Sequence, residues 1–241
     1  MALVHSPKIV TDNLLFYVDA ANTKSYPGSG DTWTDISGNG HNGELKNSPT
    51  YTSGVSDYFT FDGTNDYVDF GENSDYGLGT DPFSIEMWFI RNGSQSTYAS
   101  LVSLTKNVTE GHTQASTFQF ECKDDTSFKM RMNLRNASAS NVQQEFDTVI
   151  PSQTWTHVVY VKEGTGANQV KCYINGVVES STFQIDFTLT NSNPRIYVAC
   201  NRAANNYYKG KIAVCRIYKG KALTVAEIKQ NFDAHKGRYG L

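Results

Sequence analysis

The sequence predicts an all-β fold, an antiparallel sandwich or jelly roll closed by one short C-terminal helix. Three observations predict it. Apolar and polar residues alternate from Tyr58 to Tyr218, the two-residue period of strands with one buried face. Turn residues separate these runs at intervals of roughly ten positions, the spacing of sandwiches and jelly rolls. Helical spacing with a clear start signal occurs close to the C-terminus.

Each element follows from its own residues. Tyr58 to Asp62 places Phe59 and Phe61 on one face; Gly63-Thr64-Asn65-Asp66 turns the chain, and Tyr67 to Phe70 returns with Val68 and Phe70 inward. Phe118, Phe120 and Cys122 alternate with polar partners, Lys123-Asp124-Asp125-Thr126 turns, and Phe128, Met130, Met132 and Leu134 alternate with Lys129, Arg131 and Asn133. Trp155 to Lys162 is a strand. Val170 to Ile174 leads into Asn175-Gly176, a strong two-residue hairpin signal, before Val177 and Val178. Arg195 to Cys200 and Lys211 to Tyr218 supply two more strands. Thr224 and Glu227 form a capping box, and Val225, Ile228 and Phe232 recur at helical spacing; Lys229, His235 and Lys236 lie toward the negative end of the helix dipole. The helix is predicted over 225–235.

The chain of 241 residues carries 39% hydrophobic, 12% aromatic and 19% charged residues, a composition that folds. Its net charge of -3 lacks the basic footprint of nucleic-acid binding. No apolar run approaches the roughly 18 residues of a membrane span. Met1 to Thr11 builds no secretory core, so the expectation is either a protein made and used without that export route or one that has lost its signal. One domain is expected over residues 14–241, preceded by a tail or arm over 1–13 that either frays or adds to a neighbour. Cys122, Cys172, Cys200 and Cys215 stand singly and are expected to be buried thiols, without a disulfide framework or zinc. Asn92, Asn107 and Asn136 begin Asn-x-Ser/Thr triplets that mark exposed loops.

Ser37-Gly38-Asn39-Gly40-His41-Asn42-Gly43, Phe61-Asp62-Gly63-Thr64-Asn65-Asp66-Tyr67-Val68 and Phe83-Ser84-Ile85-Glu86-Met87-Trp88-Phe89 occur in that order. They are followed by Trp155-Thr156-His157-Val158, Val170-Lys171-Cys172-Tyr173-Ile174-Asn175-Gly176 and Gly210-Lys211-Ile212-Ala213-Val214-Cys215-Arg216-Ile217-Tyr218. In series these blocks resemble laminin-G-like, concanavalin A-like jelly-roll domains. The stretches Leu14 to Asn22 and Gln230 to Gly240 further resemble the branch of that family found among virion proteins of tailed bacteriophages. The resemblance implies a non-enzymatic structural or decoration protein of a phage particle, in capsid, neck or tail, assembled in the host cytoplasm. Its partners would be other virion proteins and copies of itself. The alternative is a carbohydrate-binding adhesion module that recognises host surface glycans.

Glucanases of this fold class need two carboxyl groups about 5 Å apart. Glu86 is the only acidic residue on its strand, and its same-face neighbours are Ser84, Trp88 and Ile90. His5, His41, His112, His157 and His235 are dispersed, no nucleophile elbow occurs, and His157 reads as a packed strand residue. No catalytic residue is expected. Asp35, Asn39 and Asn42 border a tight, oxygen-rich loop that suits calcium, although the same residues also shape turns by bonding their own backbone. The resemblance implies structural calcium near such loops; Ala213, where many members carry an acidic residue, removes one ligand. Trp33, Tyr51, Tyr76, Tyr98, Asn205, Asn206, Tyr207 and Tyr208 are the candidates for binding a glycan or a partner protein, because sugar faces and protein interfaces both use aromatic and amide groups.

Overall fold

A computed structural model of the chain describes residues 7–95, 99–105, 117–122, 128–135, 141–166, 168–182, 193–202 and 205–241. The expected turn at 123–126, and Tyr98, Asn107, His112 and Asn136, lie outside the described residues. In chain order the strands are β1 (Leu14–Asp19), β2 (Thr32–Trp33), β3 (Gly43–Lys46), β4 (Thr50–Thr52), β5 (Tyr58–Asp62), β6 (Tyr67–Glu72), β7 (Phe83–Arg91), β8 (Ser100–Thr105) and β9 (Thr117–Cys122). They continue with β10 (Lys129–Arg135), β11 (Asn141–Val149), β12 (Trp155–Lys162), β13 (Val170–Ile174), β14 (Val177–Val178), β15 (Arg195–Val198), β16 (Cys200–Arg202), β17 (Asn205–Tyr207) and β18 (Lys209–Lys219). Helix α1 (Val225–His235) and a 3₁₀ turn (Lys236–Tyr239) close the chain. No helix among the described residues is long and apolar enough to cross a membrane.

Two antiparallel sheets face each other. The first runs β14-β13-β12-β7-β18-β5-β4, with β1 also paired to β18; the second runs β11-β10-β9-β8-β15-β6-β3-β2. The alternating residues close against one another as their period demands. Ile85, Met87, Phe89, Val158, Tyr160, Cys215 and Ile217 from the first sheet meet Val68, Phe70, Phe118, Phe120, Met130, Met132, Ile196 and Val198 from the second. Burial of each large side chain there stabilises the fold by about 1.5–3 kcal/mol. All four cysteines are buried and none is in a disulfide, and burial pushes Cys122 up to about 12. Asn175 and Gly176 both have positive φ, 50° and 80°, so the predicted hairpin between β13 and β14 is the twist-matched kind.

The outer face of the first sheet departs from simple alternation. Every residue of β7 is buried, including the outward Ser84, Glu86 and Trp88, because α1 and the 3₁₀ turn lie across them. Phe232 stacks on Trp88 at 5.7 Å, and Tyr239 packs on Trp88 at 4.3 Å and on Trp155 at 4.4 Å. The helix begins where expected, with Thr224 and Glu227 forming the reciprocal cap. Its buried stripe differs from the apolar one in the sequence. Val225 is exposed, whereas Ile228, Asn231 and His235 are buried.

The polar helix residues are buried because they serve charges on the sheet below. Glu86 accepts from Arg216 Nη1 at 2.7 Å and from His157 Nε2 at 3.0 Å through one oxygen, and from Asn231 Nδ2 at 2.7 Å through the other. Arg216 Nη2 reaches His235 Nε2 at 3.0 Å and the Tyr17 hydroxyl at 3.3 Å; Arg238 Nη1 donates to Asp19 at 2.7 Å. Residues 7–13, expected as a tail or arm, pack against this cover. The Val10 amide donates to Asn231 Oδ1 at 2.8 Å, the Val10 carbonyl accepts from the Tyr218 hydroxyl at 3.0 Å, and Gln230 Nε2 donates to the Lys8 carbonyl at 2.6 Å.

Burial alone would raise the Glu86 carboxyl, but Arg216 and His157 outweigh it and hold the group at about 2. Asp19 is likewise lowered: its burial is overcome by His235 and Arg238. His235 is lowered by burial and by Arg216. A group whose folded value lies below its unfolded one stabilises the fold above the unfolded value and loses that contribution as pH falls. Stability is therefore expected to decline from about pH 6.5, where an unfolded histidine takes up its proton, and to fall further as the pH approaches 2, the value at which Glu86 is held. For Glu86 the loss between pH 7 and pH 3 is on the order of 2 kcal/mol, read from urea unfolding at the two pH values. Glu86→Ala should cost about 3–5 kcal/mol at pH 7, since it leaves Arg216 buried and unpaired.

Candidate functional site

Three of the aromatic residues singled out in the sequence belong to the interior. Trp33 has no exposed surface and meets Phe59 at 4.8 Å. Tyr76 is buried with its hydroxyl donating to the Phe70 carbonyl at 3.1 Å, and Tyr208 is buried with its hydroxyl donating to the Ile90 carbonyl at 2.7 Å. Each had been expected on an open loop. Each instead points a large ring into the core; Tyr76 and Tyr208 satisfy their hydroxyls on backbone, the usual fate of a buried tyrosine, whereas the Trp33 indole N–H has no hydrogen-bond partner among the described residues. Tyr51 is half-buried against Tyr26 at 4.8 Å, and its hydroxyl donates to Asp57 at 2.7 Å.

Asp35, Asn39 and Asn42 do lie in one loop, but their polar groups are turned to the chain. The Asp35 carboxylate accepts from the amides of Tyr17 and Ser37, both at 2.9 Å, and of His41 at 3.0 Å, and from the Ser37 hydroxyl at 2.8 Å. Asn42 Oδ1 accepts from the Asp35 amide at 3.0 Å, while Asn39 Nδ2 donates to the carbonyls of Leu14 and Leu15. The loop thus pins itself to β1 in the manner of a side-chain-bonded turn. Among the described residues no group of three or more His, Cys, Asp or Glu could hold a metal ion.

Glu86 and His157 have no exposure, and both Glu86 oxygens are occupied within the network under α1. Beside it a polar cleft of about 390 Å³ opens along Tyr17, Asp19, Asn22, His235 and Arg238. Asp19 at its base is held by Arg238 and by the Tyr17 hydroxyl at 3.1 Å.

The outer face of the second sheet is different in kind. Its register aligns Thr32, Glu44, Asp69, Tyr197, Ser103, Gln119, Asn133 and Gln143 in one cross-strand row, one residue from each strand. Neighbouring strands lie about 4.8 Å apart, so the row is a continuous polar band across the sheet. At one end the β16–β17 hairpin brings Tyr207 over Tyr67, ring centroids 6.0 Å apart, and Tyr67 meets Tyr197 at 5.9 Å. Tyr67, Asn206 and Tyr207 are half-buried, so the rings keep open surface. Beside them Arg195 forks onto Asp69 with contacts of 2.8 and 2.6 Å, which raises the guanidinium above its ordinary value. Lys46 pairs with Glu44 at 2.5 Å.

This patch gathers Asn206 and Tyr207 from the sequence candidates; Asn205 opens the same strand. It also contains Tyr67, Asp69, Arg195 and Tyr197, which were not singled out. The signal for the first two was present, because a strand with Val68 and Phe70 inward must carry Tyr67 and Asp69 outward.

A family model described as the concanavalin A-like lectin/glucanases superfamily (Laminin_G_3) matches residues 62–229. The chain belongs to this superfamily. No curated protein sequence matches it. Among solved structures, this superfamily member is similar to domain 4 of the GH43 extracellular arabinanase AbnA from Geobacillus stearothermophilus, in complex with arabinotriose, with TM-score 0.68, 18% identity, and 92% of this chain and 98% of that one covered. It is similar to botulinum neurotoxin type C, whose cell entry depends on interaction with two ganglioside molecules, with TM-score 0.65, 18% identity, and coverage of 93% and 52%. It is also similar to Trypanosoma rangeli sialidase in complex with sialic acid, with TM-score 0.64, 11% identity, and coverage of 98% and 36%. The chain thus spans nearly all of the arabinanase domain and about half or less of the other two. At these identities the likeness establishes the fold.

Asp35→Ala in this superfamily member should destabilise it by about 3 kcal/mol in urea titration, because it strands buried amides of two loop residues and of β1. With its acceptor sites already met, the melting temperature is expected to be the same with and without a chelator. A fall on chelation that added calcium restores would instead place a cation at this loop.

Proposed function

We propose that this domain is a non-catalytic carbohydrate-binding module, and that the half-buried rings of Tyr67 and Tyr207, backed by the buried Tyr197, form its binding surface with Asp69, Arg195 and Asn206. The observation that carries the reading is the juxtaposition of the two partly open rings of Tyr67 and Tyr207 with fixed polar groups at one end of a polar sheet face. A sugar ring presents an apolar C–H face beside a rim of hydroxyls, and it is bound by an aromatic surface flanked by groups that accept and donate hydrogen bonds. Two of the similar structures hold saccharides, arabinotriose and sialic acid, which supports a glycan as the ligand class. Against hydrolysis stands the position of Glu86, sealed under α1 and neutralised by Arg216, with no open carboxyl pair beside it. The virion setting implied by the terminal sequence blocks concerns where such a module is carried, and it rests on those blocks alone.

Binding is expected on a glycan array and, for the best glycan, by isothermal titration. Tyr67→Ala and Tyr207→Ala should each weaken it about tenfold or more, the equivalent of about 1.4 kcal/mol, with unchanged melting temperature. Trp33→Ala should act only through stability, since that ring lies in the core. An array on which nothing binds overturns the reading.

A further inference from the structure

Among the described side chains, the cations at the tyrosine patch are already paired. Arg195 directs Nε and Nη2 to the two oxygens of Asp69, at 2.8 and 2.6 Å, and its Nη1 lies 3.6 Å from Glu72. Its plane also lies beside the Tyr197 ring at 5.6 Å. Lys46, the other described cation beside these residues, is held by Glu44 at 2.5 Å, the contact that chiefly raises its ammonium. Three carboxylates, Glu44, Asp69 and Glu72, therefore face two cations, Lys46 and Arg195, both in ion pairs. The side chains of Glu44 and Glu72 remain 60% and 33% exposed, so their free lone pairs are open to solvent.

From this arrangement we infer that the surface selects neutral, hydroxyl-rich saccharides and rejects sialylated or uronic acid-bearing ones. The inference rests on the glycan-binding reading and adds the class of glycan. An ionised carboxylate only accepts hydrogen bonds, so Glu44 and Glu72 need donors from the ligand. Sugar hydroxyls are donors. The carboxylate of a sialic or uronic acid is acceptor-only and negative; it would meet like charge and would have to compete with Asp69 for Arg195, whose bidentate pairing is among the stronger polar contacts. Rejection by like charge is a normal route to specificity.

The test is an array that carries neutral oligosaccharides, arabinotriose among them, beside sialylated and glucuronate-capped counterparts of the same cores. Binding is expected to the neutral members, with capping by an acid weakening it tenfold or more and with little change between 50 and 300 mM salt. Equal or tighter binding to the acid-capped members overturns the inference while leaving the glycan-binding reading intact; an empty array overturns both. Asp69→Asn, which loosens Arg195 and removes one negative charge, should narrow the preference for the neutral member of each pair by about tenfold. Glu72→Gln, a change at a part-exposed side chain, should narrow it in the same direction by less, and it serves where Asp69→Asn melts early. A preference unmoved in both folded variants would also overturn the inference.

Discussion

The guanidinium of Arg216 has no solvent exposure, and much of one side of the molecule is arranged around neutralising it. A buried charge is tolerated only when paired and hydrogen-bonded. Glu86 supplies the opposite charge from the adjacent strand, at a register position that β18 and β7 share. Their burial in turn requires a lid. Helix α1 provides it, and brings Asn231 to the second Glu86 oxygen and His235 to the second Arg216 amino group. Residues 7–13 complete the cover by bonding Asn231 and Tyr218. Residues 7–13 and the C-terminal helix are thus drawn together over one ion pair.

That arrangement separates the two outer faces by role. The outer face of the first sheet is closed by aromatic stacking of Trp88, Phe232 and Tyr239, and its charges are internal. The outer face of the second sheet keeps a band of amide, hydroxyl and carboxylate groups with tyrosines at one end. A β-sandwich has only these two large faces to offer. The first is committed to stability, and the β16–β17 hairpin that carries Tyr207 gives the second relief.

How far the sequence could be read depended on how local each feature is. The hairpin at Asn175-Gly176, the capping box at Thr224 and Glu227, and the inward rows of Phe118, Phe120, Met130 and Met132 all involve near neighbours in the chain, and all are as expected. Trp33 lies in a two-residue strand, Tyr76 in a 3₁₀ turn (Ser74–Tyr76) and Tyr208 at the junction of β17 and β18, where nothing local distinguishes an aromatic that turns inward from one that stays open. Tyr197 and Tyr207 are distant in sequence from Tyr67 and meet it only because β15 pairs with β6 and the next hairpin folds across.

By itself the sequence determined the all-β class, the hairpins, the C-terminal helix and the order of family blocks, because period, turn chemistry and capping act over a few residues. Tertiary structure alone decided which polar residues are internal and which face outward. Asn231 and His235 on the helix are buried because a charge lies beneath them, and Asp69 and Arg195 keep part of their surface because, among the described residues, no helix covers their sheet. The physical reason is that a charge takes its role from the groups packed around it, and strand pairing brings those groups from remote parts of the chain.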